Sequence, residues 1–505
     1  MRRKCFLAAG ILILLGLLVF LLILSESSAP DATIVSVPTA LWYLLTTITT
    51  VGYGDLYPIT AAGRIIGAVF QLMTLGLLGV LIGMLASFLR GRAFQLLCLS
   101  LLQGKTWYVF SEKNEASEAL ARALDAEQPG RILLFANAQG SCAPGKAVPL
   151  GAEEICRRKK DGDFCLYCIG ENDTENERLA MRFEHLPARV YCQSAVFPDR
   201  LPENRRQFDP AQLGARLYWN SHPILTPREK VLIVGDGKWA QALLEQGLLL
   251  GVIDPAQQIS YTAAGDYSGF FRSHPLLGKA LEVDPACGGV DTLTVLEHWN
   301  DDPALLMEAD RIIFCCDDED ENRRNLGILR RYYPTCAAVF ARLSVPFEGA
   351  RCFGSVDELY TPELVMNEAL NRRAIAINAQ YRRANPGAPD WRELSDFTRR
   401  SNLAAADHLN VKLYLLGEQS ASKESFDRAW KRFLNADEQE RERFRRIEHA
   451  RWQRFHLLNG WQYAPERDNA RRLHPLLLPF DRLSPEDQRK DDYSWEILRL
   501  GEEII

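Results

Sequence analysis

Two long apolar stretches mark the first ninety residues, and short apolar runs alternating with amphipathic stretches mark most of the rest. Residues 6–24 are consecutive uncharged, mostly apolar positions, about enough for a helix to cross a bilayer. A second charge-free stretch covers 65–89 and is broken by Gly67, Gly76, Gly79 and Gly83. Between them, Pro38 is placed to start a helix of about a dozen residues, too short to span. Further on, apolar runs such as Trp107–Phe110 and Val231–Val234 lead into helical stretches at 115–124 and 239–249. That alternation predicts a parallel, doubly wound α/β sheet.

The α/β pattern occurs twice, over 104–220 and 228–375. Residues 168–181 match 314–327 at an offset of 146, each an apolar strand running into an acidic turn and a helix bearing Asn176 or Asn322. Residues 188–197 and 337–347 supply a further strand to each copy. Past the break at 385–390 the composition changes: five of the ten tryptophans fall in 391–505. There a helical run over 440–458 closes at Asn459-Gly460, a good C-cap. The expected divisions are therefore 1–95, 104–220, 228–375 and 391–505.

Charge sharpens this division. The 505 residues carry 59 Lys+Arg and 65 Asp+Glu, but residues 1–95 hold only six of the basic and three of the acidic ones. A segment of net charge +3 is thus joined to a body of −9, and an acidic body argues against nucleic acid as a partner. Arg2, Arg3 and Lys4 precede the first apolar stretch, and Arg90 and Arg92 follow the second. The positive-inside rule then predicts two spans with both termini cytoplasmic. A cleaved signal peptide is disfavoured, because the run is too long and no small-x-small site follows it cleanly. None of the twelve cysteines lies in 26–62, which agrees with a reducing compartment for the body. Cys165-x-x-Cys168 could be a redox or metal pair. Without a second pair, a buried strand is the preferred reading.

The short middle helix ends in Thr50-Val51-Gly52-Tyr53-Gly54-Asp55. An ion that sheds its water needs backbone carbonyls in closely spaced rings. Successive carbonyls can face one axis only if the backbone alternates hand, which Gly52 and Gly54 permit. Thr50 adds its hydroxyl, Tyr53 is expected to pack on Trp42 and Tyr43, and Asp55 places an acid at the outer mouth. With its flanking apolar stretches, this segment resembles the two-transmembrane potassium channels over residues 1–95. The resemblance implies a homotetramer, a selectivity filter at 50–55, and K+ as permeant ion held at Thr50, Val51, Gly52 and Tyr53. It also implies a multi-pass protein of a bacterial inner membrane. Gly76 and Gly79 are candidates for a gating hinge; close helix packing explains them equally well.

The second α/β copy carries Gly235-Asp236-Gly237-Lys238-Trp239-Ala240, a GxGxxA loop after a strand and opening a helix. That context suits a dinucleotide phosphate at a helix N-terminus. Gly235, Gly237 and Lys238 would cradle it, and Asp266 is the nearest acid for a ribose hydroxyl. The competing reading is close strand–helix packing, since Trp239 is bulky beside the phosphate path. The first copy has no glycine in its loop, Ser111–Glu115, so phosphate binding is not expected there. A tandem pair after a two-span pore resembles the RCK (regulator of potassium conductance) domains, Rossmann-like and of the TrkA-N type. In that family, rings of such domains pull on the inner helices when ligand binds. The acidic run Asp317–Glu321 could hold Ca2+, but acids favouring a helix N-terminus are the preferred explanation.

In the last segment, Glu448-His449, Trp452, Gly460-Trp461, Tyr463, His474-Pro475, Pro479-Phe480 and Leu483 resemble the RyR repeat, a small, mainly α module named from ryanodine receptors. Trp452, Trp461, Tyr463, Arg471, Arg472 and His474 would suit a planar anionic ligand, or else the aromatics are core. His449, His456 and His474 lack zinc spacing. The expected fold is thus a membrane α-helical pore of two transmembrane helices plus a pore helix. It is fused to cytoplasmic tandem Rossmann-like RCK domains and an RyR-like module. The expected function is a homotetrameric, ligand-gated, potassium-selective channel whose ring binds a small cytosolic ligand, a nucleotide or dinucleotide, with no catalytic cofactor. The alternatives are a membrane-tethered NAD- or nucleotide-binding enzyme and a regulatory subunit for potassium transport.

Overall fold

A computed structural model describes residues 2–90, 92–140 and 142–501. Within its helices the side chains of 2–12, 48, 73–75, 77–78, 81, 89–90, 92–95, 98, 384 and 500 lie outside the description. The chain divides into two compact units, Met1–Leu102 and Gln103–Ile505.

The first unit is helical: α1 (Arg2–Glu26), α2 (Val37–Ile48), α3 (Ala61–Arg90) and α4 (Arg92–Leu101). The apolar stretches at 6–24 and 65–89 fall in α1 and α3. Arg2, Arg3, Lys4, Arg90 and Arg92, on which the expected orientation rests, have side chains outside the described residues. Among the described residues no helix is long and apolar enough to cross a membrane. α2 begins as Pro38 suggested, with Ser36 and Thr39 forming a capping box that satisfies its first amides reciprocally. Val19, Leu22, Ile34, Ala40, Tyr43, Leu44 and Phe70 gather the three helices around one small core. The buried Glu26 ties the end of α1 to the start of α3. Its carboxylate accepts the amides of Ile59 and Thr60, each at 3.0 Å, and the Thr60 hydroxyl at 2.6 Å. A Cβ at Gly63 would strike that carboxylate, so the approach needs glycine.

The second unit contains two six-stranded parallel sheets of identical order. The first has β1 (Trp107–Phe110), β2 (Ile132–Ala136), β3 (Lys146–Val148), β4 (Phe164–Cys168), β5 (Arg189–Gln193) and β6 (Arg205–Phe208), arranged β3-β2-β1-β4-β5-β6. In the second, β7 (Lys230–Val234) and β8 (Ser260–Ala264) are followed by a short pair, β9 (Glu282–Asp284) and β10 (Gly289–Val290). Then come β11 (Thr292–Leu296), β12 (Arg311–Phe314), β13 (Ala338–Arg342) and β14 (Arg351–Phe353), arranged β11-β8-β7-β12-β13-β14. This is the doubly wound Rossmann order, whose crevice opens where the winding reverses, between β1 and β4 or between β7 and β12.

The repeat extends to single hydrogen bonds. Asn176 accepts the Gly170 amide at 2.8 Å and donates to the carbonyls of Gly170 and Gln193. Asn322 does the same with the Cys316 amide at 2.8 Å and the carbonyls of Cys316 and Arg342. Each asparagine ties its strand end to the neighbouring strand. Every residue of β4 is buried. Burial pushes the Cys165 thiol up to about 11 and that of Cys168 well above its ordinary value. Both are inert strand residues.

The two sheets meet through a pair of helices, Pro210–Ser221 and Lys238–Leu250. Trp239 lies where a Cβ on Gly214 would be, and Trp219 lies 2.7 Å from a Cβ built on Gly247. Each helix thus gives a tryptophan to a glycine of the other, and Trp219 Nε1 donates to the Leu243 carbonyl at 2.8 Å. The C-terminal helices pack on the helix Pro210–Ser221 and on the second sheet through buried charge. Arg216 forks onto Asp407 at 2.7 and 3.0 Å. On the helix Glu438–Leu458, Arg454 donates to Asp291 at 2.7 Å and to the carbonyls of Ala280 and Leu248. The two sheets and the C-terminal helices thus belong to one compact unit.

Candidate functional site

The segment following α2 has an alternating backbone. Thr50, Gly52 and Gly54 have φ of 59°, 54° and 74°, while Val51 and Tyr53 between them do not share the positive sign. The amides of Val51 and Gly52 both donate to the Thr46 carbonyl, at 3.0 and 3.1 Å, so the segment is anchored to the end of α2. Left-handed conformation at every second residue turns successive carbonyls toward the same side, the arrangement a row of ion ligands needs. Tyr53 stacks on Trp42 with centroids 6.1 Å apart and planes 3° from parallel. Trp42 Nε1 in turn donates to Asp55 at 3.1 Å. The expectation that Tyr43 shares this role is not met: Tyr43 lies in the small core, against Gly67. Neighbouring helix positions point about 100° apart, so one of the two aromatics faces the filter segment and the other faces α3.

Gly76 and Gly79 lie within the unbroken α3, and a Cβ on either would meet nothing within 4 Å in the chain. Gly67 is different, because a Cβ there would lie 2.8 Å from the Tyr43 hydroxyl.

The glycine loop of the second sheet has the expected place, between β7 and the helix Lys238–Leu250. Gly235 has φ of 124° and passes so close to Cys316 that a Cβ would lie 2.9 Å from its amide. The position beside Gly237 is filled by the Asp317 carboxylate, which accepts the amides of Lys238 and Trp239 at 3.3 and 3.2 Å. Arg342 holds the Asp317 carbonyl at 2.7 Å and lies 4.9 Å over the Trp239 ring. The anion-binding end of this helix is thus already occupied by a carboxylate of the chain, and the loop as it stands does not fit a phosphate. Asp266 is turned to its own helix start, accepting the Ser268 amide at 2.9 Å, which holds its carboxyl below the usual range. The acidic run divides its labour. Asp317 caps the neighbouring helix, Asp318 accepts the Asp320 amide, and Glu319 takes the Ser344 amide and hydroxyl. No group of three or more potential ligands among the described residues could hold a metal ion.

The six ligand candidates of the last segment do not share one surface. Trp461 is buried and stacks on Phe397 at 5.0 Å, with His456 edge-on. Trp452 lies 4.1 Å from His456 and 4.9 Å from His474. Tyr463 is exposed. Arg471 lines the turn before His474, and Arg472, at φ 56°, donates to the Asn459 carbonyl at 2.8 Å. Trp452, Trp461, His456 and His474 form one packed cluster, and burial pushes His456 down to about 3 and His474 to about 4.

Residues 8–91 match the family described as "Ion channel". Over 65 residues the chain is 40% identical to the human potassium voltage-gated channel subfamily A member 6, covering 11% of this chain and 12% of that protein. Over 86 residues it is 34% identical to the calcium-gated potassium channel TvoK of Thermoplasma volcanium, covering 17% and 24%. The chain thus spans less than a quarter of the length of these curated relatives. Among solved structures, GsuK bound to ADP aligns over 73% of this chain and all of that one, at 14% identity and a TM-score of 0.36. Residues 8–91 are an ion channel domain, and the chain joins it to a body built on two parallel Rossmann-like sheets.

Proposed function

We propose that four copies of this chain form a potassium-selective channel of a bacterial inner membrane, with both termini in the cytoplasm. The Gln103–Ile505 unit then regulates the pore by binding a small cytosolic ligand, with nucleotides as the class to test first. The observation that carries the channel reading is the alternating hand at Thr50, Gly52 and Gly54, directly behind a short capped helix and within an ion channel domain. One chain offers one quarter of a ring of carbonyls, so the reading requires the tetramer. Asp55 is held by Trp42 at the end of the segment, where it would attract cations. The remaining parts are proposed as an RCK-like pair and an RyR-like module, with Gly76 and Gly79 as positions where α3 bends between closed and open pores. Opening then requires the ligand to bind one state of the regulating unit better than the other. A tenfold preference at each of four sites amounts to about 5.6 kcal/mol, enough to move a gate from mostly closed to mostly open. Purified chain in liposomes should pass K+ and little Na+. Equal passage of both ions, or none under any nucleotide, would sink the reading.

A further inference from the structure

Both crevices at which sheets of this order receive ligands are closed by the chain itself. In the second sheet the Asp317 carboxylate fills the phosphate position. In the first, Asn114 Nδ2 donates to the Ile169 carbonyl at 2.8 Å, tying the loop after β1 to the end of β4. A neighbouring cleft of about 760 Å³, which shares only Lys238 with the glycine loop, opens where the first sheet, the second sheet and the C-terminal helices meet. Its cations and acids are unequally engaged. Glu245 is paired with Arg400 at 2.8 Å, Asp396 lies 3.6 Å from Arg399, and Asp209 accepts the Ala211 amide at 3.0 Å. Lys238, Arg272 and Arg472 line the same cleft without a close ion pair among the described residues, although Lys238 lies in the field of Asp209, Arg272 in that of Asp266, and Arg472 donates to the Asn459 carbonyl. Phe197, half-buried, adds an apolar wall, backed by the buried Phe270. Surplus positive charge beside aromatic surface, at the junction of three packed parts, matches an anionic ligand that carries a flat ring.

We propose that this cleft, and not the glycine loop, is the ligand site of the protein, and that it takes a molecule with the chemistry of a nucleoside diphosphate. The proposal rests on the ligand-regulated reading above, but its readout is binding and needs no ion flux, so the two fail separately. The full-length chain in detergent is titrated with fluorescent N-methylanthraniloyl-ADP. Saturable binding is expected, weakened at least tenfold by Arg272→Gln or Arg472→Gln and altered less than about twofold by Asp317→Asn. Should Arg472→Gln unfold its turn, Arg272→Gln and Arg272→Glu decide the question, because Arg272 is exposed. Absence of saturable binding up to about 1 mM overturns the proposal, as does indifference to the Arg272 variants. Tighter binding by Asp317→Asn also overturns it, since that would place the phosphate at the glycine loop.

Discussion

At Gly54 the backbone requires a φ of 74°, and an L-residue held there costs roughly 1–2 kcal/mol. In the proposed tetramer Gly54→Ala would repeat that cost in each of four copies, so K+ selection over Na+ in liposome flux should be lost while assembly is retained. Retained selectivity would show that the segment does not line the pore. Trp42→Phe keeps the ring beside Tyr53 but removes the donor to Asp55, so a milder loss of sustained K+ flux is expected. The alternating backbone of this segment is legible in the sequence because it is local: Gly52 and Gly54 decide it within a few consecutive residues. The place of Asp317 is not. The sequence places it in a run of five acids, and helix-dipole reasoning explains such a run without saying which helix each acid serves. Only the fold brings it to Gly237, eighty positions earlier in the chain. For Trp461 and His474 the sequence leaves two readings open. Their clustering along the chain suits either a ligand surface or a core, and packing against Phe397 and His456 places them in a core.

Among the elements, the helices of the last segment depend on buried charge. His408 is fully buried with Nε2 2.8 Å from the Val252 carbonyl, and burial, aided by Arg451 and Lys412, pushes its pKa down to about 3. His456 is pushed to about 3 by burial. Unfolded, both titrate near 6.5. Between pH 6.5 and 3 the unfolded chain therefore binds protons that the folded one refuses. Stability contributed by these groups is full above about 6.5 and declines toward pH 3, by at most about 1.4 kcal/mol per pH unit for each. Melting of the purified protein should fall steadily from pH 7 to 4.5, and less steeply in His456→Phe; a flat profile would contradict the burial argument. Arg216→Ala leaves the Asp407 carboxylate buried without its charge partner and should cost about 3–5 kcal/mol, read as a melting point lower by several degrees. The parallel, doubly wound character of both sheets follows from alternation and their repetition from the offset of 146, whereas the strand order comes from the fold. So does the docking of the C-terminal helices, since Arg216–Asp407 and Arg454–Asp291 join residues more than 160 positions apart.

For the whole molecule, the sequence suggests a detachable C-terminal module, and the structure changes what a truncation would mean. Removing 391–505 takes away the buried partners of Asp291 and of Arg216 and uncovers Val252 and Leu248. The shortened chain is expected to aggregate on size-exclusion chromatography rather than to report ligand sensing. A monodisperse, cooperatively folded 1–390 would show that the parts are independent. The reciprocal insertion of Trp239 over Gly214 and of Trp219 over Gly247 has a bearing on how this chain can vary. Small and large partners must change together, so a library randomising 214 and 239 should recover compensated pairs and reject most single changes. Trp239 and its neighbours in GxGxxA would then prove intolerant of substitution because of a partner on another helix, and a mutational scan would mistake that constraint for nucleotide binding.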